Sequence, residues 1–156
     1  MNREEMNMNI SDWKQENSDV NYIVQSEKGR EVYKLLTSID NNFNRKEIEF
    51  VYVQNTFKDD EPLELYVFTE TDLFMYKAIA DKDFTMIQHK LDKAITAISF
   101  KNEMYEIALT VEGQSYLLSP QEELSSVDQD RKHGVLPWFD RLSELVLEIY
   151  QHKLLK

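Results

Sequence analysis

The sequence predicts an α+β domain: a bent seven-stranded antiparallel sheet or partial barrel capped by a C-terminal helix, with an additional helix ahead of the strands. Three observations carry this. A helix-period apolar stripe near the N-terminus gives way to alternation with a period of two. Seven short runs rich in aromatic and β-branched residues then follow one another, separated by brief turns. A second helical stripe closes the chain. Seven strands exceed what a flat sheet under one helix holds comfortably, which favours a curved sheet plugged by that helix.

Residues 1–17 read as a polar lead-in with one anchor candidate, Trp13. From Ser26, a plausible N-cap, Val32, Leu35, Leu36, Ile39 and Phe43 fall on one stripe and predict a helix over 26–43. The N-terminal extension is placed at 1–45 and the strand domain at 46–156. The first strand is expected over 47–57, where Ile48, Phe50 and Tyr52 alternate with Glu49, Val51 and Val53. Further strands are expected over 63–68, 73–79, 84–90, 95–100, 104–111 and 114–119, with Glu112-Gly113 as a tight hairpin. The polar stretch 120–134 holds too little apolar content to predict an element and reads as a long loop. Phe139, Leu142, Leu145, Val146 and Ile149 predict the last helix, with Pro137 in its first turn. Lys153 and Lys156 are expected to complement its C-terminal dipole.

The chain has 156 residues, no Cys, three Gly, three His and a net charge of −11. Without Cys, disulfide scaffolds, thiol catalysis and Cys-based zinc sites are excluded. The charge is spread so evenly that every thirty-residue block is acidic, which argues against general affinity for nucleic acid or anionic membrane. An even spread also removes a decoy role mimicking nucleic acid. No apolar run approaches the roughly 20 residues of a membrane helix, and the start of the chain lacks the pattern of a secretory signal. The expected location is cytoplasmic.

The element order is that of the pleckstrin-homology superfold, and two segments carry a local likeness. Glu64-Leu-Tyr-Val-Phe-Thr-Glu-Thr-Asp-Leu-Phe-Met-Tyr-Lys77 resembles the hairpin of bacterial PH-like and GRAM-like domains. His89-Lys-Leu-Asp-Lys-Ala-Ile-Thr-Ala-Ile98 resembles the segment that leads into their fifth strand. The resemblance covers about 46–156 and implies a lipid-headgroup, peptide or protein-docking module. The phosphoinositide-binding subset gathers cations on the loop after its first strand. Here that loop is Lys58-Asp59-Asp60-Glu61, so phosphoinositide or membrane binding is not expected.

Other chemistry is thin. His89, His133 and His152 have no helical zinc spacing. Asp128, Asp130 and His133, like Asp59, Asp60 and Glu61, read as solvated acidic loops rather than hard-ion sites. Ser125 and Ser126 precede His133 on a polar stretch without a nucleophile motif. The adjacent pair Glu122-Glu123 is expected to be exposed. No catalytic residue, metal site or cofactor is therefore expected. Trp138 and Phe139, with Trp13, are the candidate interaction surface, as part of an apolar groove between the last helix and the N-terminal helix. Aromatic residues at such spacing are more often core. The helix over 26–43 either packs on the sheet or forms a homodimer seam. The expected function is a non-enzymatic module for a protein or peptide partner, docking on an exposed strand edge that can add a partner strand or in the groove between the strands and the C-terminal helix. The alternative is a small-molecule carrier, with Phe50, Tyr66, Phe68, Phe74 and Tyr76 lining an apolar cavity.

Overall fold

The computed structural model describes residues 47–58, 60–80 and 83–155. Trp13, the helix expected over 26–43 and Lys156 lie outside the described residues. Seven strands follow in order: β1 Phe50–Gln54, β2 Glu64–Phe68, β3 Asp72–Ala80, β4 Asp83–Lys90, β5 Ile95–Lys101, β6 Met104–Val111 and β7 Gln114–Leu118. Two helices close the chain, α1 Pro120–Ser125 and α2 Gln129–Ile149, and α2 runs on into a π-helical turn, Tyr150–Leu154. That turn is closed by the Leu155 amide donating to the Tyr150 carbonyl at 2.7 Å.

The strands form two antiparallel sheets, β1-β2-β3-β4 and β5-β6-β7, not one bent seven-stranded sheet. The break falls between β4 and β5. Leu91 donates its amide back to the Thr71 carbonyl, and Ala94 donates to Leu91, so the chain curls away before β5 begins. Among the described residues, β4 pairs only with β3 and β5 only with β6. Side chains bridge the gap instead of a backbone ladder.

Turn chemistry explains most strand boundaries. Thr69 and Asp72 close the β2–β3 hairpin: the Thr69 amide donates to the Asp72 carbonyl, and the Asp72 amide to Thr69 Oγ1. Glu112 and Gly113 both have positive φ, 50° and 82°, the two-residue geometry that matches strand twist. Asn102 and Glu103 adopt the same left-handed pair at the β5–β6 turn. At β3–β4 the register shifts between Ala78 and Ala80.

The register Phe50↔Phe68 and Tyr52↔Tyr66 sets one face of the first sheet toward the second. Tyr66 there meets Tyr116 of β7 edge-on, with ring centroids 5.6 Å apart. Phe50 stacks on His152 of the π-helical turn. β1 and β2 are buried on both faces, since Val51, Val53, Leu65 and Val67 on the opposite face are fully buried too. That two-sided burial is why both strands read as nearly continuous apolar runs.

The stretch 120–134, expected as a loop, is mostly helix. Ser119 caps α1 by accepting from the Glu122 amide at 3.2 Å, and Pro120 occupies the first turn. The Ser-x-x-Glu spacing is a helix-start signal that needs no apolar stripe. α2 begins at Gln129, so Pro137 lies inside it and not in its first turn. Pro137 is exposed, while Val135 extends the buried stripe a turn ahead of Trp138. Lys153 does more than face a helix dipole. Its Nζ donates to Glu49 Oε2 at 2.6 Å and to the Glu70 carbonyl at 2.9 Å, tying the end of the chain to both ends of the first hairpin.

Candidate functional site

Trp138 and Phe139 do not form a surface. They are 4% and 0% exposed and belong to the core. Phe139 packs on Phe57, just past β1, at 5.6 Å, and Arg131 sits 5.9 Å over the same Phe57 ring. Their position on the buried stripe of α2 is the physical reason: spacing that produces an apolar stripe turns it to the core.

The concave feature lies elsewhere. A cleft of about 260 Å³ opens between the far ends of β1 and β2, the β7 strand and α1. Its walls include Gln54, Glu64, Tyr66, Ser115, Tyr116 and Ser119, with Lys58 and Glu61 from the loop after β1 and Glu122 and Glu123 from α1.

Glu123 holds the cleft together. It is buried, contrary to the expectation for the pair, while its neighbour Glu122 is exposed. One carboxylate oxygen accepts from the Asn55 amide at 2.7 Å and the other from the Phe57 amide at 3.0 Å. Asn55 is thereby held at a positive φ of 71°, and its side chain donates to the Pro62 carbonyl. A short helix far along the chain thus clamps the loop that follows β1.

Ser119 forms the second joint. Its hydroxyl donates to Glu106 Oε2 at 2.8 Å, and its amide donates to Gln54 Oε1. Burial alone would raise the Glu106 carboxyl, but the Ser119 hydroxyl and the Lys101 ammonium, 3.1 Å away, hold it below its ordinary value. On the cleft floor, Gln54 and the Tyr66 hydroxyl both donate to Glu64 Oε1. Burial, reinforced by the Glu64 charge, pushes the Tyr66 phenol far above its ordinary range, so it is a fixed donor.

Tyr116 joins the cleft to the sheet junction. Its hydroxyl lies 2.7 Å from His89 Nε2, and His89 Nδ1 lies 3.3 Å from Glu112 Oε1. The same Glu112 oxygen accepts from the Lys90 amide at 2.9 Å. Burial and the Glu64 charge raise the Tyr116 phenol.

The remaining sequence candidates are dispersed. His133 and His152 are exposed and lie apart from His89 on α2 and the π-helical turn. Ser125 and Ser126 spend their hydroxyls on the carbonyls of Glu122 and Glu123. Asp60, Glu61, Asp128 and Asp130 are exposed. Among the described residues, no group of three or more His, Asp or Glu side chains is placed to hold a metal ion. No helix of the described residues is long and apolar enough to cross a membrane. Phe50, Phe68 and Tyr76 are core residues, and Tyr66 lines the polar cleft rather than an apolar cavity.

A second surface feature is the β4 edge. Phe84, Met86 and Ile87 are 37%, 46% and 41% exposed on a strand whose outer side has no ladder partner among the described residues. An exposed strand edge is among the surfaces the sequence suggests, but alternation shows only that a strand has two faces, not which strand stands at the edge.

The chain matches none of the protein-family models, curated proteins or solved structures with which it was compared.

Proposed function

We propose that this chain is a PH-like, non-enzymatic binding module of the cytoplasm that takes an extended segment of a protein partner alongside β4. The observation that carries this reading is the β4 edge itself. Free edges are normally blunted by charge, proline or short length. β4 is eight residues long, and its central run, Phe84-Thr-Met-Ile-Gln88, has neither charge nor proline. A partner strand would satisfy the outer backbone groups, and its alternating side chains would meet Phe84 and Met86 on one face and Ile87 on the other.

The family reading is supported by the element order, seven antiparallel strands in two sheets followed by a helix. Acidic residues on the cleft side, Glu61, Glu64 and Glu122, oppose binding of an anionic headgroup next to Lys58. The carrier reading asks for an apolar cavity, and the polar cleft lends it no support.

The experiment is site-specific photo-crosslinking in cells that make the protein. A benzophenone side chain replaces Met86 in one variant and Leu136 of α2, similarly exposed at 37%, in another. The expected result is one adduct of discrete mass at position 86, absent at 136, and lost when Ile87→Lys is added. No adduct at 86, or equal adducts at both positions, overturns the reading.

A further inference from the structure

We propose that the outer face of the first sheet is a docking surface for the chain's own segment 26–43, which lies across β1, β2 and β3 and leaves β4 open. The strand register defines that face. Val51, Val67 and Phe74 form one cross-strand row, and Val53, Leu65 and Tyr76 form the next. None of the six carries a charge. Val51, Val53, Leu65 and Val67 are 0% exposed and Tyr76 is 3% exposed. Side chains as buried as these are packed against another part of the chain.

The second sheet, the head of α1 and the π-helical turn are engaged on the opposite face. There Tyr66 meets Tyr116 of β7, Phe50 stacks on His152, and Gln54 Oε1 accepts from the Ser119 amide. α2 packs on β6 of the second sheet, where Ser143 Oγ accepts from the Tyr105 amide. The rest of the chain is residues 1–46, with 59, 81, 82 and 156. Of these, only 1–46 is long enough to cover two rows across three strands. It also joins the sheet at the right place, because it runs through Glu47 directly into β1, an outermost strand of the first sheet.

Pattern and dimensions select the part of 1–46 that fits. Val32, Leu35, Leu36, Ile39 and Phe43 supply an uncharged stripe at helical spacing, with Lys34 and Thr37 on its far side. The connection over 44–49 reaches at most roughly 20 Å, which keeps such a helix beside β1. A helix over 26–43 is about 27 Å long and about 10 Å wide, so it spans about three strands at a spacing of about 4.8 Å. The exposure of the face follows that width. The row through Tyr76 continues onto β4 as Met86, which is 46% exposed, and Phe84 beside it is 37% exposed. A seam between two copies would use the same stripe but would leave the outer face of each first sheet bare, against its burial. The inference does not depend on what β4 binds.

The test is nuclear magnetic resonance of the whole chain, labelled with ¹³C in the methyl groups of Ile, Leu and Val. Nuclear Overhauser contacts are expected from the methyls of Val51, Val53, Leu65 and Val67 to those of Leu35, Leu36 and Ile39. In a mixture of labelled and unlabelled chains, the isotope-filtered spectrum should show none of these contacts between copies. Ile39→Asp should abolish them and expose the four sheet methyls to a soluble paramagnetic agent, whereas Thr37→Asp should leave both unchanged. If Ile39→Asp does not fold, the wild-type contacts alone decide. No contact between the stripe and these four residues overturns the proposal. So do contacts found only between copies, which make the stripe a dimer seam, or equal effects of the two substitutions.

Discussion

Glu123 shows how much one side chain decides at the residue scale. Its two oxygens receive the amides of Asn55 and Phe57 from a loop more than sixty positions earlier. Hydrogen bonds to a charged acceptor contribute more than neutral ones, and a buried amide left unpaired costs about 1–3 kcal/mol. Glu123→Ala is therefore expected to lower unfolding stability by roughly 3 kcal/mol, read from urea melts. Glu122→Ala, at the exposed neighbour, should stay within about 0.5 kcal/mol. Nothing in the pair Glu122-Glu123 distinguishes the two in sequence. The difference arises because α1 turns one carboxylate inward onto the loop and the other to solvent.

Asp72 supplies the pH dependence at the same scale. Gln88 hydrogen-bonds its carboxylate, and although burial opposes them, Thr71 and Lys90 add to the effect, so its carboxyl sits below the ordinary value. The unfolded chain then takes up a proton before the folded one as pH falls. The stabilisation is complete above the unfolded carboxylate value of about 3.9 and is lost as pH drops through the lowered folded value. Urea midpoints measured at about pH 6 and about pH 3 should fall less on acidification in Asp72→Asn than in the wild type.

At the scale of elements, the strands were the most legible part of the sequence. β6 occupies the expected span, and the Glu112-Gly113 hairpin adopts the positive-φ pair. Alternation and turn chemistry are local signals, and these ladders obey them. The helices were harder to read. α1 holds a single large aliphatic residue, Leu124, so an apolar-stripe test passes over it, while the Ser119-Pro-Gln-Glu122 cap would have revealed it. α2 starts earlier than the stripe suggests because its first six residues, Gln129 to Gly134, include no large apolar side chain to mark the stripe. Gly134 is helical, and a Cβ added there meets nothing within 4 Å. Gly134→Ala should stabilise the protein by about 0.5–1 kcal/mol through reduced freedom of the unfolded chain. A thermal melt showing no gain would mean that this turn of α2 is not helical in solution.

At the scale of the whole molecule, the surface and the core are divided in a way that alternation does not announce. Trp138 and Phe139 are locally indistinguishable from an aromatic docking site, yet they are buried, while Phe84, Met86 and Ile87 stand on the strand that is outermost in its sheet among the described residues. Met86→Lys places a solvated charge on that edge. Its unfolding free energy should remain within about 0.5 kcal/mol of wild type, because the side chain is nearly half exposed. Sedimentation at high concentration should show less self-association than wild type, since a lysine blunts an exposed edge. A large stability loss would mean that Met86 is packed in solution.

The sequence by itself determined the α+β class, the seven strands, most of their turns and the closing amphipathic helix, because each depends on residues close along the chain. It also determined the acidity, spread over every block, and the absence of thiol chemistry. Only the tertiary structure decided that the strands divide four and three, that Glu123 clamps the Asn55 loop, and that His89, Glu112 and Tyr116 meet. The Glu123 clamp joins groups 68 positions apart, and the His89–Tyr116 contact groups 27 apart. Burial and hydrogen-bond satisfaction across such distances follow from how the two sheets and α1 pack, and no local pattern encodes that.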